Sequence, residues 1–176
     1  MTWQELMMDI FDRIAASLAE VLDGLPPEEL NLRPAPDACS IGFLAWRLTR
    51  NLDRDISELM EMQQIWNSAK WYTEFRENPD PAVTGNGFSV EEMAAFHAPD
   101  SITIMKYHYD VLNRIRDYIS RYLSEPELEQ SNASPTLGRK IPVYRRVSGL
   151  VSESLKLVGQ TVYIRGLLQG YEWQNN

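Results

Sequence analysis

Few side chains in this sequence suit acid–base, nucleophilic or metal chemistry: the chain has two histidines, His97 and His108, and one cysteine, Cys39. A catalytic first-row metal centre uses three protein ligands, with histidine nitrogen and carboxylate oxygen as common donors, and leaves a position open for water or substrate. His97 stands in Phe96-His97-Ala98-Pro99, which reads as a surface loop. His108 falls at helical spacing between Ile104 and Leu112, and a lone histidine on an apolar face is more often a hydrogen-bonded core residue than a ligand. Glu153 and Leu157 are four residues apart and share one helix face, yet only Glu153 offers a donor. A site using His108 and Glu153 has no spacing argument behind it.

Other polar residues divide between chemistry and packing. Arg165 follows Ile164 in an apolar run, where an arginine that satisfies helix-end carbonyls is a better reading than an anion pocket. Gln160 either lines a cavity or joins two helices by a hydrogen bond. Gly159 and Gly166 cost ~1 kcal/mol each against alanine inside a helix, which close helix packing would explain. Trp46, Trp66, Trp71, Tyr72, Tyr163 and Trp173 read as core or dimer surface, with the cluster from Trp66 to Phe75 also placed to cover a pocket mouth.

Composition narrows the classes. The 176 residues are 44% hydrophobic, enough for one sizeable core, and the whole chain 1–176 reads as a single domain. Twenty-five acidic against 17 basic residues leave a charge of -8, which argues against a general phosphate-binding surface and so against nucleic acid. Tyr144-Arg145-Arg146 is too small a basic patch to change that. Cys39 has no intramolecular disulfide partner, and the chain opens on acidic amphipathic sequence, so a cytoplasmic location is expected. No stretch approaches the ~18 to 20 apolar residues of a membrane span.

The elements that would position these residues are helical. Trp3, Leu6, Met7, Ile10, Ile14, Leu18, Val21 and Leu22 form an amphipathic stripe over Thr2 to Leu22, with a capping-box spacing from Thr2 to Glu5 and a stop at Gly24 and Pro26-Pro27. Ser40 caps a second helix, striped by Ile41, Leu44, Leu48, Leu52, Ile56 and Leu59, which is expected to end near Gln64. The stretch from Trp66 to Pro99 is irregular, with one short helix after Ser89 and its partner Glu92. A third long helix is predicted from Asp100 or Ser101 to about Leu123, ended by Glu125-Pro126, and a fourth from about Val143 to Gln169. Residues Glu127 to Pro142 read as a polar connection, and no strand alternates convincingly. The expected fold is all-α: a four-helix bundle with long crossover connections and a short extra helix.

The segment Ser152 to Gly170, with Gly159-Gln160, Tyr163 and Arg165-Gly166, resembles the C-terminal signature of the DinB-like (YfiT-like) metalloenzymes. Ile41-Gly42-Phe43-Leu44-Ala45-Trp46 with Arg50 and Asp53-Arg54-Asp55 resembles that family's second-helix pattern, and Gly85-Asn86-Gly87-Phe88-Ser89 through Phe96 the middle segment of one of its subgroups. The resemblance implies metal ligands at three positions, held here by Arg47, in Trp46-Arg47-Leu48, and by Glu153 and Leu157. Arginine is a permanent cation and leucine has no donor, so no metal and no cofactor are expected. On periodicity alone Arg47 lies about 60° beyond Leu44 at ~100° per residue and is a solvated charge at the stripe's margin. The resemblance favours the alternative, in which Arg47 forms an ion pair with Glu153 beside Leu157. The leading expectation is therefore a metal-free, non-catalytic binding or interaction protein that forms a homodimer. Two alternatives stand beside it: a metal-dependent hydrolase or thiol transferase with an altered site at Glu153, His108 and Gln160, and a small-molecule carrier using the interhelical cavity.

Overall fold

Nine helices, one π-helical turn and one hairpin follow one another among the residues that the computed structural model describes, 1–170 and Trp173. Their starts are set by short polar side chains. Thr2 accepts from the Glu5 backbone N–H while the Glu5 carboxylate accepts from Thr2, which opens α1 (Trp3–Leu22). Pro27 begins the short α2 (Pro27–Leu30), where proline's missing N–H costs nothing. Ser40 caps α3 (Ile41–Leu59), and Glu61 ends it in the left-handed region at φ 54°, with the Met62 N–H returning to the Ser57 carbonyl. This helix stops short of Gln64. Two short helices, α4 (Ile65–Ser68) and α5 (Trp71–Phe75), and the capping-box helix α6 (Val90–Ala95) occupy the irregular middle of the chain. Asp100 caps α7 (Ser101–Asp117), which continues through a π turn at Tyr118–Tyr122.

The connection after α7 is more ordered than the sequence suggests. It holds a short α8 (Glu125–Glu129), then strands β1 (Ser131–Ser134) and β2 (Arg139–Pro142), before α9 (Val143–Gln169). The strands pair antiparallel with Ser134 opposite Arg139, and Gly138 at φ 62° closes the turn. The fold is thus mostly helical with a small two-stranded sheet, where the sequence reading expected helices alone. Four-residue strands of sequence Ser-Asn-Ala-Ser and Arg-Lys-Ile-Pro carry almost no β-branched or alternating signal, which is why the hairpin was not expected.

Each long helix packs against two others: α3 against α9 and α7, and α1 against α9 and α7. Leu18, Val21, Phe43, Leu44, Trp46, Ile104, Tyr107 and Val111 fill the space between them. No helix among the described residues is long and apolar enough to cross a membrane.

Inside this core lies a polar network that α3 builds from Arg50 and Asp53, both buried. The Asp53 carboxylate accepts from the backbone N–H groups of Ile65 (2.9 Å) and Trp66 (2.8 Å), from the Tyr107 hydroxyl (2.8 Å) and from Ser57 Oγ (3.1 Å). Arg50 and Arg114 stand 3.6 and 3.8 Å from it. Arg50 donates in turn to the Val83 and Pro81 carbonyls, to Gln64 Oε1 and to the Tyr107 hydroxyl, and its guanidinium lies 4.6 Å from the Trp66 ring centre. A buried charge survives only when its lone pairs and protons are partnered, and here they are. Removing the charge leaves two arginines uncompensated, so Asp53→Asn is expected to lower stability by about 3 to 5 kcal/mol. Urea unfolding measures this; a loss below about 1 kcal/mol would mean that solvent, and not Asp53, balances the two arginines.

Candidate functional site

A cleft of about 310 Å³ opens between α3 and α9. Leu48, Leu52 and Asp55 on α3 and Arg146, Leu150, Ser154 and Leu157 on α9 recur every three or four residues, so each set shares one face of its helix. Asn86, from the turn before α6, and Leu137 and Ile141, from the hairpin, complete the wall. Gly85 is what lets that turn approach: it stands at φ 79°, and a Cβ there would come within 2.8 Å of Trp46.

The charged end of the cleft is held by α9 and the hairpin together. Arg54 lies against Asp55 at 3.2 Å, and Arg146 donates to Glu58 Oε2 at 2.6 Å and to the Asp55 carbonyl at 3.3 Å. Glu58 also accepts from the hydroxyls of Ser134 and Thr136. Burial alone pushes the Glu58 carboxyl up, but these hydrogen bonds and the Arg146 charge outweigh it and hold the group below the usual carboxylate range.

The residues singled out from the sequence do not converge. Leu157 is buried in the cleft wall and Glu153 lines the same cleft, but Glu153 is exposed and pairs with Lys156 one turn away. Arg47 points elsewhere: its Nε donates to Asn86 Oδ1 at 3.0 Å, and the expected ion pair with Glu153 is not formed. A lysine on Glu153's own helix is a nearer partner than an arginine across the interface, and Asn86 offers Arg47 a neutral acceptor without desolvating a second charge. Trp46 is fully buried among Phe43, Trp66, Phe88 and Phe96 and lines no part of the cleft. Gln160 is exposed. His108 is buried on α7, 3.0 Å from Thr49 Oγ1, so Glu153, His108 and Gln160 share neither a hydrogen bond nor the cleft.

The three positions that the family resemblance assigns to metal ligands do not fit a divalent cation, since they offer one carboxylate, one guanidinium and one hydrocarbon. Among the described residues no group of three or more His, Cys, Asp or Glu stands together to hold a metal. Cys39 offers no obvious nucleophile either. Burial pushes its thiol up, the charges of Arg47 and Arg33 only partly offset this, and its Sγ faces Met93 at 3.4 Å.

Sequence reasoning missed what the cleft uses. Asn51, Asn86 and Arg146 carry its polar chemistry, and only the spacing of Arg146 with Leu150 on one face hinted at it. Arg165 behaves as its sequence position suggested: it donates to the Glu20 and Val21 carbonyls at the end of α1, whose last turn carries no basic residue. Packing does not explain Gly159, because a Cβ there would meet nothing within 4 Å. Trp71 and Tyr72 are half-buried against the core and Trp66 and Phe75 lie inside it; the cluster stands away from the α3–α9 cleft, and Phe75 lines a separate pocket with Glu77, His97 and Ala98.

No family model matches the chain, and no curated protein matches it. Among solved structures it is similar to a conserved protein from Enterococcus faecalis, with 25% identity and a TM-score of 0.83 over 97% of this chain and 99% of that one. The likeness extends over nearly the whole of both chains.

His108 gives a pH test of the core beside α3. Burial lowers its ring to about 4 from an ordinary 6.5. Between those values the unfolded chain binds a proton that the folded chain does not, so stability falls as pH drops through the window. His108→Leu is expected to flatten the fall in urea midpoint between about pH 7 and about pH 5. A variant profile as steep as the parent's would remove His108 as its cause.

Proposed function

We propose that this chain is a DinB-like four-helix bundle that works as a metal-free binding protein, with the α3–α9 cleft as its ligand site and without catalysis there. The observation that carries the reading is the state of the three positions at which the resemblance expects metal donors. Arg47 is turned onto Asn86, Glu153 onto Lys156, and Leu157 makes the wall apolar. A cleft of about 310 Å³ remains, at the lower end of the size range of small-molecule sites, with leucines beside a few placed polar groups. Methyl NMR with phenol, isopropanol and acetate as probes is expected to shift Leu150 and Leu157 before other methyls. Leu157→Trp should abolish those shifts while changing stability by no more than ~1 kcal/mol, because the cleft takes the added ring. One zinc or nickel per chain surviving dialysis, and lost in Glu153→Gln, would overturn the proposal.

We infer also that two copies pair through the outer face of α9. Leu155, Gly159, Tyr163 and Leu167 stand four residues apart along it; the three large side chains are 53%, 68% and 55% exposed, and Gly159 is open between the first two. Such a face, apolar and unobstructed, suits close approach of a second helix. Light scattering is expected to give a dimer mass, and Tyr163→Glu a monomer. A parent chain that stays monomeric across a broad concentration range would sink this reading.

A further inference from the structure

We infer that the α3–α9 cleft receives a small monocarboxylate, its head held by Arg145, Arg146 and Asn51 and its apolar body lying against Leu48, Leu150 and Leu157. The inference rests on the proposal that this cleft is a ligand site, and adds the class of ligand.

The first observation is an unused donor. Arg146 lines the cleft with a side chain only 4% exposed, and its Nη2 is taken by Glu58 and the Asp55 carbonyl. Its Nη1 is buried without a partner among the described residues. A buried guanidinium N–H without an acceptor is costly, and a ligand oxygen would relieve it.

The second observation is an oriented amide. Arginine donates and never accepts, so the Nε of Arg47 fixes Asn86 with its Oδ1 toward Arg47. Asn86 Nδ2 then donates to Asn51 Oδ1 at 2.7 Å and to Thr84 Oγ1 at 3.0 Å. Asn51 is thereby oriented through its oxygen, and its Nδ2, in the cleft wall, has no partner among the described residues. The residue at the former ligand position thus acts as a positioning residue: through Asn86 it turns Asn51 so that a donor remains free.

Charge sets the valence of the ligand. Arg54 is matched by Asp55 and Arg146 by Glu58, while Glu153 is matched by Lys156. Arg145 has only the neighbouring Tyr144 hydroxyl, at 3.3 Å, among the described residues. One cation is therefore uncompensated in a wall that also holds Asp55 and Glu153. A single carboxylate balances it, whereas a dianionic phosphate would add a second negative charge beside those two acids. Two carboxylate oxygens also match donors that arrive from both helices.

Octanoate and octanamide share the same chain and differ in the head, so isothermal titration of the full protein with each separates charge from shape. Octanoate is expected to bind at least roughly tenfold more tightly than octanamide, a difference of about 1.4 kcal/mol. Arg145→Gln should erase most of that preference. Asn51→Asp, which replaces the free donor with an acceptor of the same shape, should erase it too. Arg47→Leu tests the relay, and is expected to weaken octanoate while leaving octanamide alone. Equal binding of acid and amide, both lost in Leu157→Trp, would overturn the carboxylate inference and leave the cleft as a ligand site. No binding of either by the parent protein would overturn both.

Discussion

The carboxylate of Asp53 is the constraint on which the rest of this molecule depends. A charge placed in the core of a helical protein has to be surrounded completely, and a helix cannot do that with its own residues. The four donors that converge on Asp53 come from α3, from the start of α4 and from α7. Arg50, on the same helix, reaches past it to the carbonyls of Pro81 and Val83. The segment between α3 and α7 has few long elements, yet these bonds fix its path. That path sets down Thr84, Gly85 and Asn86 at the edge of the α3–α9 cleft. The polar core and the polar cleft are therefore two ends of one arrangement on α3.

The long α9 is held at both ends by arginines that act on other elements. Near its start, Arg146 joins Glu58 of α3, which in turn collects Ser134 and Thr136 of the hairpin. Near its end, Arg165 meets the final carbonyls of α1 and stacks 4.5 Å from the Trp173 ring centre. Between these anchors the helix faces the core with Leu150, Leu157, Val158 and Ile164 and presents Leu155, Tyr163 and Leu167 outward. Apolar residues on both sides of one helix weaken the periodic signal of either, which explains why the outward face was not separated from the core by sequence alone.

Local chemistry was legible and long-range pairing was not. Thr2, Ser40, Ser89 and Asp100 act within three residues of themselves, and all four cap the helices that their positions announced. Glu61 ended α3 early because a left-handed residue need not be glycine, and nothing in its type marks it. Arg50 and Asp53 were visible only as part of a resemblance, since most of the groups that justify burying them lie 12 to 61 residues away along the chain. Arg47 failed for the same reason in reverse. Its partner was sought 106 positions on, at Glu153, when the acceptor it uses is 39 positions away in a turn.

Asn86 also shows why an arginine at that place is compatible with a formed cleft. Here an amide takes the bond, passes it to a second amide, and keeps both asparagines at the wall. Every link in that chain runs from donor to acceptor in one direction, because its first member cannot accept. The last member is left with both amide hydrogens to give, while one lone pair of its oxygen is already taken. Asn51 Nδ2 on α3 and Arg146 Nη1 on α9 are thus two donors of the cleft wall without a partner among the described residues, and the first of them is left free by the bonding order and not by any one residue in it.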